Sequence, residues 1–568
     1  MNKRLLFSIF LTYIATNAQL NFKDSAAELG VNLSYGSGTY AGGVSFLDYN
    51  QDGWDDLTIG TQINEDIQYY KNVNGTFVKD NLNIPENLGE HKQILWIDFD
   101  NDGDKDLFVT VESGDTKLYE NEGNSNFTDI TSTSGISHTG KSSWGASWGD
   151  YNNDGYLDIY INFLATGNTQ PNRLFRNNGN KTFTDVTTNS GLNSNIDAAF
   201  CSAFFDYNND GWQDLYVTNH KYQLSYLYKN NQDGTFSDVS AETNANVSAD
   251  GMSTTIGDYN ADGFFDIYIT NSAAGNIHLR NNGGNSFTNV AEAIGTVFNS
   301  VSWGAVFLDA DCDGALDLYV SGMGDGSNGK LPSAFYKNNG LGTYEIPGNI
   351  GLQNDRSASF SNAIGDVNND GLPDIYVVNQ VDNNFLWKNE TVNTSNWLKI
   401  KLKGTESNKD GIGNKIEIIT KGESQFRYTL CGEGYLAQNS EYEFFGIGDN
   451  TIIDQANITW NKTGVTETLS NITPNQSIVV EEGKGVLGVE SIEAQQKFNV
   501  FPNPSNSKFI VASKQSVENI KVFDLIGREV YSSENSSEID LINEPNGIYI
   551  AKIVLEGNTT KKIKLIKN

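Results

Sequence analysis

The chain is a succession of short segments in which apolar and polar residues alternate with a period of two, the pattern of β-strands. One stretch illustrates the unit: the small-residue segment SSWGASWG (142–149) is followed by LDIYIN (157–162), NRLFRN (172–177) and FTDVT (183–187). Four antiparallel strands per unit form one blade of a β-propeller. The pattern therefore predicts an all-β protein built from such blades.

An acidic motif of nine residues lies between the first and second segments of each unit and occurs seven times. Successive copies begin 50 to 57 residues apart, a near-constant period that is typical of propellers or solenoids. Seven copies predict a seven-bladed propeller. The motifs, which begin at Asp48, Asp98, Asp150, Asp206, Asp258, Asp309 and Asp366, read DYNQDGWDD, DFDNDGDKD, DYNNDGYLD, DYNNDGWQD, DYNADGFFD, DADCDGALD and DVNNDGLPD.

The residue types of the motif predict a site for a hard cation. Side-chain oxygens at positions one, three, five and nine, with the backbone carbonyl at position seven, converge on one point, while glycine at position six permits the sharp turn. Calcium takes six to eight oxygens in loose geometry, whereas magnesium prefers a stricter octahedron, so we expect up to seven calcium ions. The predicted ligands are Asp48, Asn50, Asp52, Trp54, Asp56, Asp98, Asp100, Asp102, Asp104, Asp106, Asp150, Asn152, Asp154, Tyr156, Asp158, Asp206, Asn208, Asp210, Trp212, Asp214, Asp258, Asn260, Asp262, Phe264, Asp266, Asp309, Asp311, Asp313, Ala315, Asp317, Asp366, Asn368, Asp370, Leu372 and Asp374.

The motif differs from an EF-hand and from ordinary acidic turns. An EF-hand needs a glutamate at position twelve, where Ile59 and Val109 stand in the first two copies. Acidic turns that merely favour Asx geometry would explain one or two copies, but not seven.

The segments that enter the acidic motif are rich in small residues, as in GGVSFLD (42–48) and CSAFFD (201–206). This composition suits the crowded innermost position around a central channel. The large exceptions, Trp144, Trp148 and Trp303, are predicted to pack between blades.

The two ends of the repeat region are predicted to share one blade. The seventh copy supplies DIYVVN (374–379) and NFLWKN (384–389), but no outer strand before residue 396. The missing type of strand is found at 20–32, where LNFKDSAAELGVN matches TFTDVTTNSGLN (182–193) nearly position for position. We therefore expect the propeller to span 19–394 and to be closed by its N-terminal strand, which hides the sheet edges.

The first eighteen residues have the pattern of a secretory signal peptide: Lys3 and Arg4, an apolar run from Leu5 to Ala15, and small residues up to Ala18. The alternative is a membrane anchor, but the run is shorter than the ~20 residues that a spanning helix needs. No later stretch is long and apolar enough to predict a transmembrane segment. We expect a protein that is secreted or held at the outer cell surface.

The charge balance excludes some classes of partner. With 38 basic and 71 acidic residues the formal charge is −33, which repels nucleic acid and attracts cations. Four widely spaced histidines form no recognisable ligand or nucleophile–base pattern. Three scattered cysteines, Cys201, Cys312 and Cys431, predict no disulfide framework.

The repeats resemble the FG-GAP or VCBS repeat family of integrin-like propellers, with the acidic loop intact in each copy. After residue 395 a second resemblance begins, to the ASPIC/UnbV domain of cartilage acidic protein-like chains, and we place this domain at 395–483. Asn414 stands where that family usually has alanine, and Asn461 where it usually has proline after Trp460. Alternating strands predict a small β-sandwich. The resemblance rests on NWLKIKLKG (396–404), NKDGIGNKIEI (408–418), CGEGYLAQNSEYEFFGIGD (431–449) and ITWNKTGVTETLSNI (458–472).

The last part of the chain differs in charge. From residue 497 to 568 there are ten basic and eight acidic residues, and a linker is expected at 484–496. This part resembles the C-terminal sorting domain of the type IX secretion system, which implies contact with that machinery. The alternative is a further adhesive β-sandwich. The motifs are FPNP (501–504), VFDLIGREV (522–530), NGIYIAKI (546–553) and KKIKLIK (561–567).

No catalytic centre is readable, because the most visible carboxylates are assigned to calcium and no Ser-His-Asp or Cys-His arrangement stands out. The sequence favours an extracellular adhesion or interaction module that binds a protein or glycan. A calcium-dependent polysaccharide lyase or glycosidase on the propeller scaffold is the alternative, and a purely structural role in a surface or matrix is also open.

The predicted partner site lies on the face opposite the acidic loops, because the loops between second and third strands vary in length there. These loops can also be read as solvated connections. The expected contacts are Asn168, Gln170, Asn172, Tyr222, Tyr226, Asp325 and Asn328.

Overall fold

A computed structural model describes residues 19–487 and 498–567, except for residues 86, 124–125, 137–141, 165–170, 194, 325, 393–394, 502–504, 506, 514–515, 525–526 and 556–558. The predicted signal peptide at residues 1–18 lies outside the described residues. The described chain is almost entirely β-structure.

The described residues of the repeat region form 28 strands and two short α-helices, α1 (Thr131–Ser134) and α2 (Ala291–Ile294). The first fourteen strands are β1 (Phe22–Asp24), β2 (Val44–Leu47), β3 (Asp56–Ile59), β4 (Gln68–Asn72), β5 (Phe77–Asp80), β6 (His91–Ile97), β7 (Asp106–Val111), β8 (Lys117–Asn121), β9 (Phe127–Asp129), β10 (Ser143–Gly149), β11 (Asp158–Phe163), β12 (Arg173–Asn177), β13 (Phe183–Asp185) and β14 (Ala199–Phe205). The next fourteen are β15 (Asp214–Asn219), β16 (Tyr226–Asn230), β17 (Phe236–Asp238), β18 (Thr255–Gly257), β19 (Asp266–Ile269), β20 (Ile277–Asn281), β21 (Phe287–Asn289), β22 (Ser302–Leu308), β23 (Asp317–Gly322), β24 (Ala334–Asn338), β25 (Tyr344–Glu345), β26 (Ser359–Gly365), β27 (Asp374–Asn379) and β28 (Phe385–Asn389).

These strands form repeated four-stranded antiparallel sheets, which we number 1 to 7 in the order of their first strands β2, β6, β10, β14, β18, β22 and β26. First strands are buried along most of their length. Those of neighbouring sheets approach closely: a Cβ on Gly145 would lie 2.2 Å from the carbonyl oxygen of Phe200 in the next sheet. This proximity is the physical reason for the small residues in these strands, because a larger side chain would push the sheets apart.

Sheet 7 is completed by the N-terminal strand. β1 pairs antiparallel with β28, with Phe22 opposite Asn389, and takes the outermost position. The first strand of sheet 7 also contacts the first strand of sheet 1. The ring is thus closed by a strand in the position that the sequence match at 20–32 predicts.

The second domain, residues 396–487, is a sandwich of two four-stranded sheets, in the orders β33-β29-β36-β37 and β31-β30-β34-β35. Leu398, Ile416, Ile458 and Trp460 are central members of its buried core. β37 lies at the start of the predicted linker, residues 484–496. The strands are β29 (Asn396–Lys403), β30 (Lys415–Thr420), β31 (Glu423–Tyr428), β32 (Ala437–Gln438), β33 (Glu443–Gly448), β34 (Ile453–Trp460), β35 (Val465–Ile472), β36 (Gln476–Glu481) and β37 (Gly485–Val486).

A segment of the second domain enters the propeller channel. β32 pairs in parallel with β2 and so adds a fifth strand to sheet 1. The Gln438 side chain accepts a hydrogen bond from Trp96 N at 2.8 Å and donates one to Trp96 O at 2.7 Å. Tyr435 packs on Phe200 and Trp303, so the channel is filled by side chains.

The tryptophans occupy two kinds of position. Trp148 packs between sheets, against Phe108 and Phe183. Trp144 and Trp303 belong instead to the cluster that fills the channel. All three tryptophans are buried.

The C-terminal residues form a separate compact unit, Gly488–Asn568. Its two sheets have the orders β38-β39-β42 and β41-β40-β43-β44, and Phe509, Ile520 and Ile553 are fully buried in its core. The strands are β38 (Phe498–Phe501), β39 (Lys508–Ser513), β40 (Val517–Phe523), β41 (Glu529–Glu534), β42 (Glu538–Asp540), β43 (Gly547–Leu555) and β44 (Thr559–Lys567).

None of the helices in the described part of the chain is long and apolar enough to cross a membrane. The three cysteines are buried and free.

Candidate metal sites

The seven acidic loops connect the first and second strands of the seven sheets, and we call the side that carries them the acidic-loop face. In every loop the residue at position four and the glycine at position six have positive φ; in the first loop Gln51 has φ 58° and Gly53 φ 87°. This backbone turns each loop tightly around its first aspartate, because the left-handed region reverses the chain direction within a few residues.

The first aspartate organises the loop backbone. In all seven loops its carboxylate accepts a hydrogen bond from the N–H of the glycine at position six, over 2.7 to 2.9 Å. The carboxylate at position five accepts one from the N–H at position seven, over 2.9 to 3.2 Å. The residues at positions one, five, six and seven of each loop are thereby held together.

The ninth residue of the loop is a buried aspartate at the start of the second strand. One of its oxygens accepts a hydrogen bond from the backbone N–H of an asparagine at the end of the third strand, over 2.6 to 2.8 Å in all seven sheets. These asparagines are Asn72, Asn121, Asn177, Asn230, Asn281, Asn338 and Asn389.

Several oxygens at predicted ligand positions are buried and have no hydrogen-bond partner among the described residues. They include Oδ1 of Asp98 at position one and Oδ1 of Asn50, Asn260 and Asn368 at position three. Carboxylate oxygens of Asp98, Asp100 and Asp106 also lie within 4.8 Å of one another. Buried oxygens without donors are the ligands that calcium accepts, so the residues of these loops fit the ion.

Several buried loop carboxylates lie in a setting that disfavours negative charge. Burial raises the pKa of Asp150 to about 7 and that of Asp98 to about 8. At position nine, burial raises the pKa of Asp56 to about 9, and the neighbouring carboxylate of Asp48 adds to the effect. A divalent cation in the loop would supply the positive charge that keeps such groups ionised.

Two loops have an aspartate instead of an asparagine at position three, and in both a lysine neutralises it. Lys181 Nζ lies 3.0 Å from Asp100 Oδ2. Lys337 Nζ lies 2.7 Å from Asp311 Oδ1. The additional negative charge of these loops is thus paired within the protein.

The loops are linked to one another around the ring. The side-chain amide at position four donates to the carbonyl of the position-six glycine in the next loop: Asn101 to Gly155 at 2.9 Å, for example. Equivalent bonds start from Gln51, Asn153, Asn209 and Asn369, the last reaching Gly53 in the first loop. Ala261 and Cys312 occupy position four in the two remaining loops.

A second set of links was not anticipated from the sequence. In six sheets the side chain of the third-strand asparagine donates to the carbonyl at position two of the preceding sheet's loop, over 2.7 to 3.1 Å. Asn72 closes the ring by donating to Val367 of sheet 7 at 2.9 Å. The signal was present as the repeated pair KN, EN or RN at the end of each third strand.

The second domain covers the acidic-loop face. Lys399 Nζ lies 2.8 Å from Asp366 Oδ2, and Gly446 N donates to Asp309 Oδ2 at 3.0 Å. Lys415 Nζ donates to Gly263 O at 2.6 Å. Basic side chains of the second domain therefore lie against the acidic loops, which lowers the repulsion between the loop carboxylates.

The residues predicted to contact a partner have different surroundings. Tyr222 is exposed, Asn328 is exposed, and Tyr226 is half-buried and stacks on Tyr228. Asn172 corrects the prediction, because it is buried and its Oδ1 accepts the N–H of Phe163 at 2.8 Å. The predicted contacts at positions 168, 170 and 325 lie outside the described residues.

Three family models match the chain. The FG-GAP-like repeat matches residues 48–109, 98–161, 162–217, 206–269 and 258–320. The ASPIC and UnbV model matches 404–487, and the secretion system C-terminal sorting domain matches 499–568.

Similarity to individual proteins is more limited. Cartilage acidic protein 1 of Xenopus tropicalis is 30% identical over 128 residues, which are 22% of this chain and 18% of that protein. The match therefore spans less than a fifth of the relative. Among solved structures, BBS1N in complex with ARL6DN has a TM-score of 0.41 at 8% identity, over 65% of this chain and 97% of that chain. Sqt1 of Saccharomyces cerevisiae has a TM-score of 0.38 at 10% identity, over 80% of this chain and 99% of that chain.

The matched models follow one another in the order of the domains in the structure, from the repeated sheets to the sandwich and the C-terminal unit. The sorting domain indicates a secreted or outer-surface protein. In sequence order, the chain therefore carries FG-GAP-like repeats, an ASPIC and UnbV domain and a secretion system C-terminal sorting domain.

Proposed function

We propose that the protein is an extracellular calcium-binding interaction module that recognises a protein or a glycan through the face opposite the acidic loops. We call this side the opposite face; it consists of the loops between second and third strands and the connections between sheets. The observation that carries the proposal is the position of the second domain, which covers the acidic-loop face, while loops between second and third strands keep exposed side chains in the described part of the chain.

The opposite face presents large apolar side chains to solvent. Tyr222, Met323 and Val381 lie in loops between second and third strands and are 58%, 41% and 70% exposed. Exposed apolar residues on variable loops, held by a rigid scaffold, are typical of interaction surfaces.

Calcium would act in this proposal as a structural element of the scaffold. Each loop joins the first two strands of a sheet and is linked to the next loop by side-chain hydrogen bonds. An ion that orders one loop would therefore also stabilise the neighbouring loops. The sheets would then hold the loops of the opposite face more rigidly. Passage through the type IX machinery, directed by the C-terminal unit, would bring the module outside the cell.

The test compares two matched sets of surface variants in the full chain. Tyr222→Ser, Met323→Ser and Val381→Ser together should reduce retention on a glycan array and on immobilised surface proteins at least tenfold. Leu341→Ser, which removes an exposed apolar side chain in the β24–β25 turn near Asn260 of the fifth acidic loop, is the control and should leave binding unchanged. Equal binding by the triple variant and the wild type, with calcium-dependent melting intact, would exclude this face.

A further inference from the structure

A cavity of about 270 Å³ lies between the outer strands of sheets 1 and 2. Its wall is formed by the start of β4, the end of β5, residues 81–82, 84–85 and 87 of the connection that leads to β6, and Tyr119 of β8. We call it the rim cavity. Small-molecule pockets usually measure about 300 Å³ or more, so this one has the size for a single small ring and not for an extended ligand.

Two buried polar groups on the wall of the rim cavity have no hydrogen-bond partner among the described residues. They are the hydroxyl of Tyr119, a fully buried side chain, and the Nδ2 amide of Asn87. Asn87 Oδ1, by contrast, accepts the N–H of Gly89 at 3.2 Å, which fixes the orientation of the amide. Because buried polar groups in folded proteins are nearly always paired, these two groups can each take a further hydrogen bond from a molecule that enters the cavity.

The wall also supplies acceptors. The carboxylates of Asp66 and Asp80 line the cavity. Asp80 accepts hydrogen bonds from Tyr49 at 3.0 Å and from Asn81 N at 2.8 Å, and retains a further lone pair on each oxygen. Lys79 also lines the cavity, and its Nζ donates to Gln68 Oε1 at 2.7 Å. Two carboxylates and one ammonium leave a net negative charge that disfavours an anionic ligand, whereas donors and acceptors together complement hydroxyl groups, each of which both donates and accepts.

Apolar surface completes the wall. Tyr69, Leu82 and Ile84 lie beside the polar groups. A sugar ring has hydroxyl groups at its edge and C–H groups on its faces, and aromatic side chains with a polar end suit such mixed surfaces.

We propose that the rim cavity binds one neutral sugar residue of an extracellular glycan. This inference rests on the proposed binding function and specifies the chemistry of one of its ligands. Tyr119 and Asn87 donate to sugar hydroxyls, Asp66 and Asp80 accept from them, and Tyr69 packs against the ring.

The experiment is ligand-observed saturation-transfer NMR on the full chain in calcium, with methyl glycosides of neutral hexoses and pentoses at about 10 mM, a concentration suited to a Kd of ~1 mM. At least one glycoside should give a signal. Tyr119→Phe removes only the hydroxyl and should weaken binding at least tenfold. Asn87→Asp keeps the acceptor for Gly89 N–H, removes the donor amide, and should also weaken binding.

Tyr336→Phe is the matched control, because Tyr336 has the same position in β24 as Tyr119 in β8 and its hydroxyl donates to Val297 O at 3.1 Å. This control should bind sugar like the wild type but melt at a lower temperature. Tyr119→Phe should not lower the melting temperature, since it removes a buried hydroxyl that has no partner.

Three results would overturn the inference. They are the absence of a signal from every glycoside, wild-type sugar affinity in Tyr119→Phe, and a melting temperature of Tyr119→Phe that is lowered as much as that of Tyr336→Phe. A signal from methylammonium but from no glycoside would also count against it. If sugars fail to bind while the opposite-face triple variant still loses a protein ligand, the proposed function stands without this site.

Discussion

Lys399 of the second domain and Asp366, the first predicted ligand of the seventh loop, form a buried ion pair with 2.8 Å between Nζ and Oδ2. A calcium ion would meet the same carboxylate. Through this lysine, the stability of the contact between the propeller and the second domain would depend on whether the seventh loop holds calcium.

Replacing Lys399 with methionine should make the protein more dependent on calcium. Without metal, Asp366 would be left buried and unpaired, and the loss of one partner of such a pair costs about 3 to 5 kcal/mol. Calcium would restore part of this loss, so the rise in melting temperature on adding calcium should exceed that of the wild type. Lys421→Met is the control, because its pair with Asp449 is solvent-exposed. An equal calcium-induced rise in the wild type and Lys399→Met would contradict the coupling.

Chelation should lower the melting temperature of the wild-type protein sharply. Each site that binds with a Kd ~100-fold below ambient calcium stabilises the folded chain by about 2.7 kcal/mol. Several such sites together approach the ordinary stability of a domain, about 5 to 15 kcal/mol. Differential scanning calorimetry with excess chelator, and then with calcium or magnesium restored, measures this; an unchanged curve would count against calcium. Magnesium should restore less, because the loops offer loose geometry.

Whether a structural feature could be predicted from the sequence depends on how far apart along the chain its residues lie. The acidic loops were recognisable because Asp48, Gly53 and Asp56 lie within nine residues of one another. The match between 20–32 and 182–193 predicted which segment pairs with β28, because the seventh repeat lacks an outer strand and 20–32 has the sequence of one. Period and composition were sufficient for both.

The docking of the second domain was not predictable in this way. Gln438 bonds Trp96, which lies 342 residues earlier, and nothing in the segment CGEGYLAQ indicates a channel. Similarly, Asn172 has the sequence setting of a variable loop, but its amide completes the backbone pairing of Phe163. Long-range packing decides such positions, and local patterns do not contain it.

Asn414 and Asn461, the two departures from the usual pattern of the second domain, are bonded to each other: Asn461 N donates to Asn414 Oδ1 at 2.9 Å. Asn414→Ala alone should cost about 1 to 3 kcal/mol, because it leaves the N–H without its acceptor. The same change should cost less in an Asn461→Pro background, where the N–H is absent. Denaturant unfolding of the four proteins of this double-mutant cycle provides the numbers, and strict additivity would refute the coupling.

Ending the chain after Leu487 should leave the propeller and second domain as stable as in the full chain, because residues 488–568 form a separate compact unit. Melting curves with and without calcium should coincide with the corresponding transition of the full-length protein. The shortened protein should remain in the periplasm, since it lacks the sorting domain. Normal surface display of the shortened chain would be incompatible with this role.

His278 should remain neutral down to mildly acidic pH. Burial lowers its pKa to about 3. Because the unfolded imidazole has a pKa of about 6.5, the stability this neutral histidine contributes is present above pH 6.5 and is lost as the pH falls toward 3, by about 2 kcal/mol between pH 7 and 5. NMR of isotope-labelled histidine, assigned with His278→Gln, measures the titration. A midpoint near 6.5 would contradict it.

The hydrogen bond from Asn21 N to Thr391 Oγ1, beside the β1–β28 pairing, joins residues 370 positions apart. A contact of such high sequence separation carries a large loop-closure entropy, so we expect it to form late and to limit the folding rate. Until then sheet 7 has an open edge, which is a template for the β1 segment of another molecule. Ring closure is therefore the step at which this protein is exposed to domain swapping and aggregation, and a concentration-dependent refolding phase should report it.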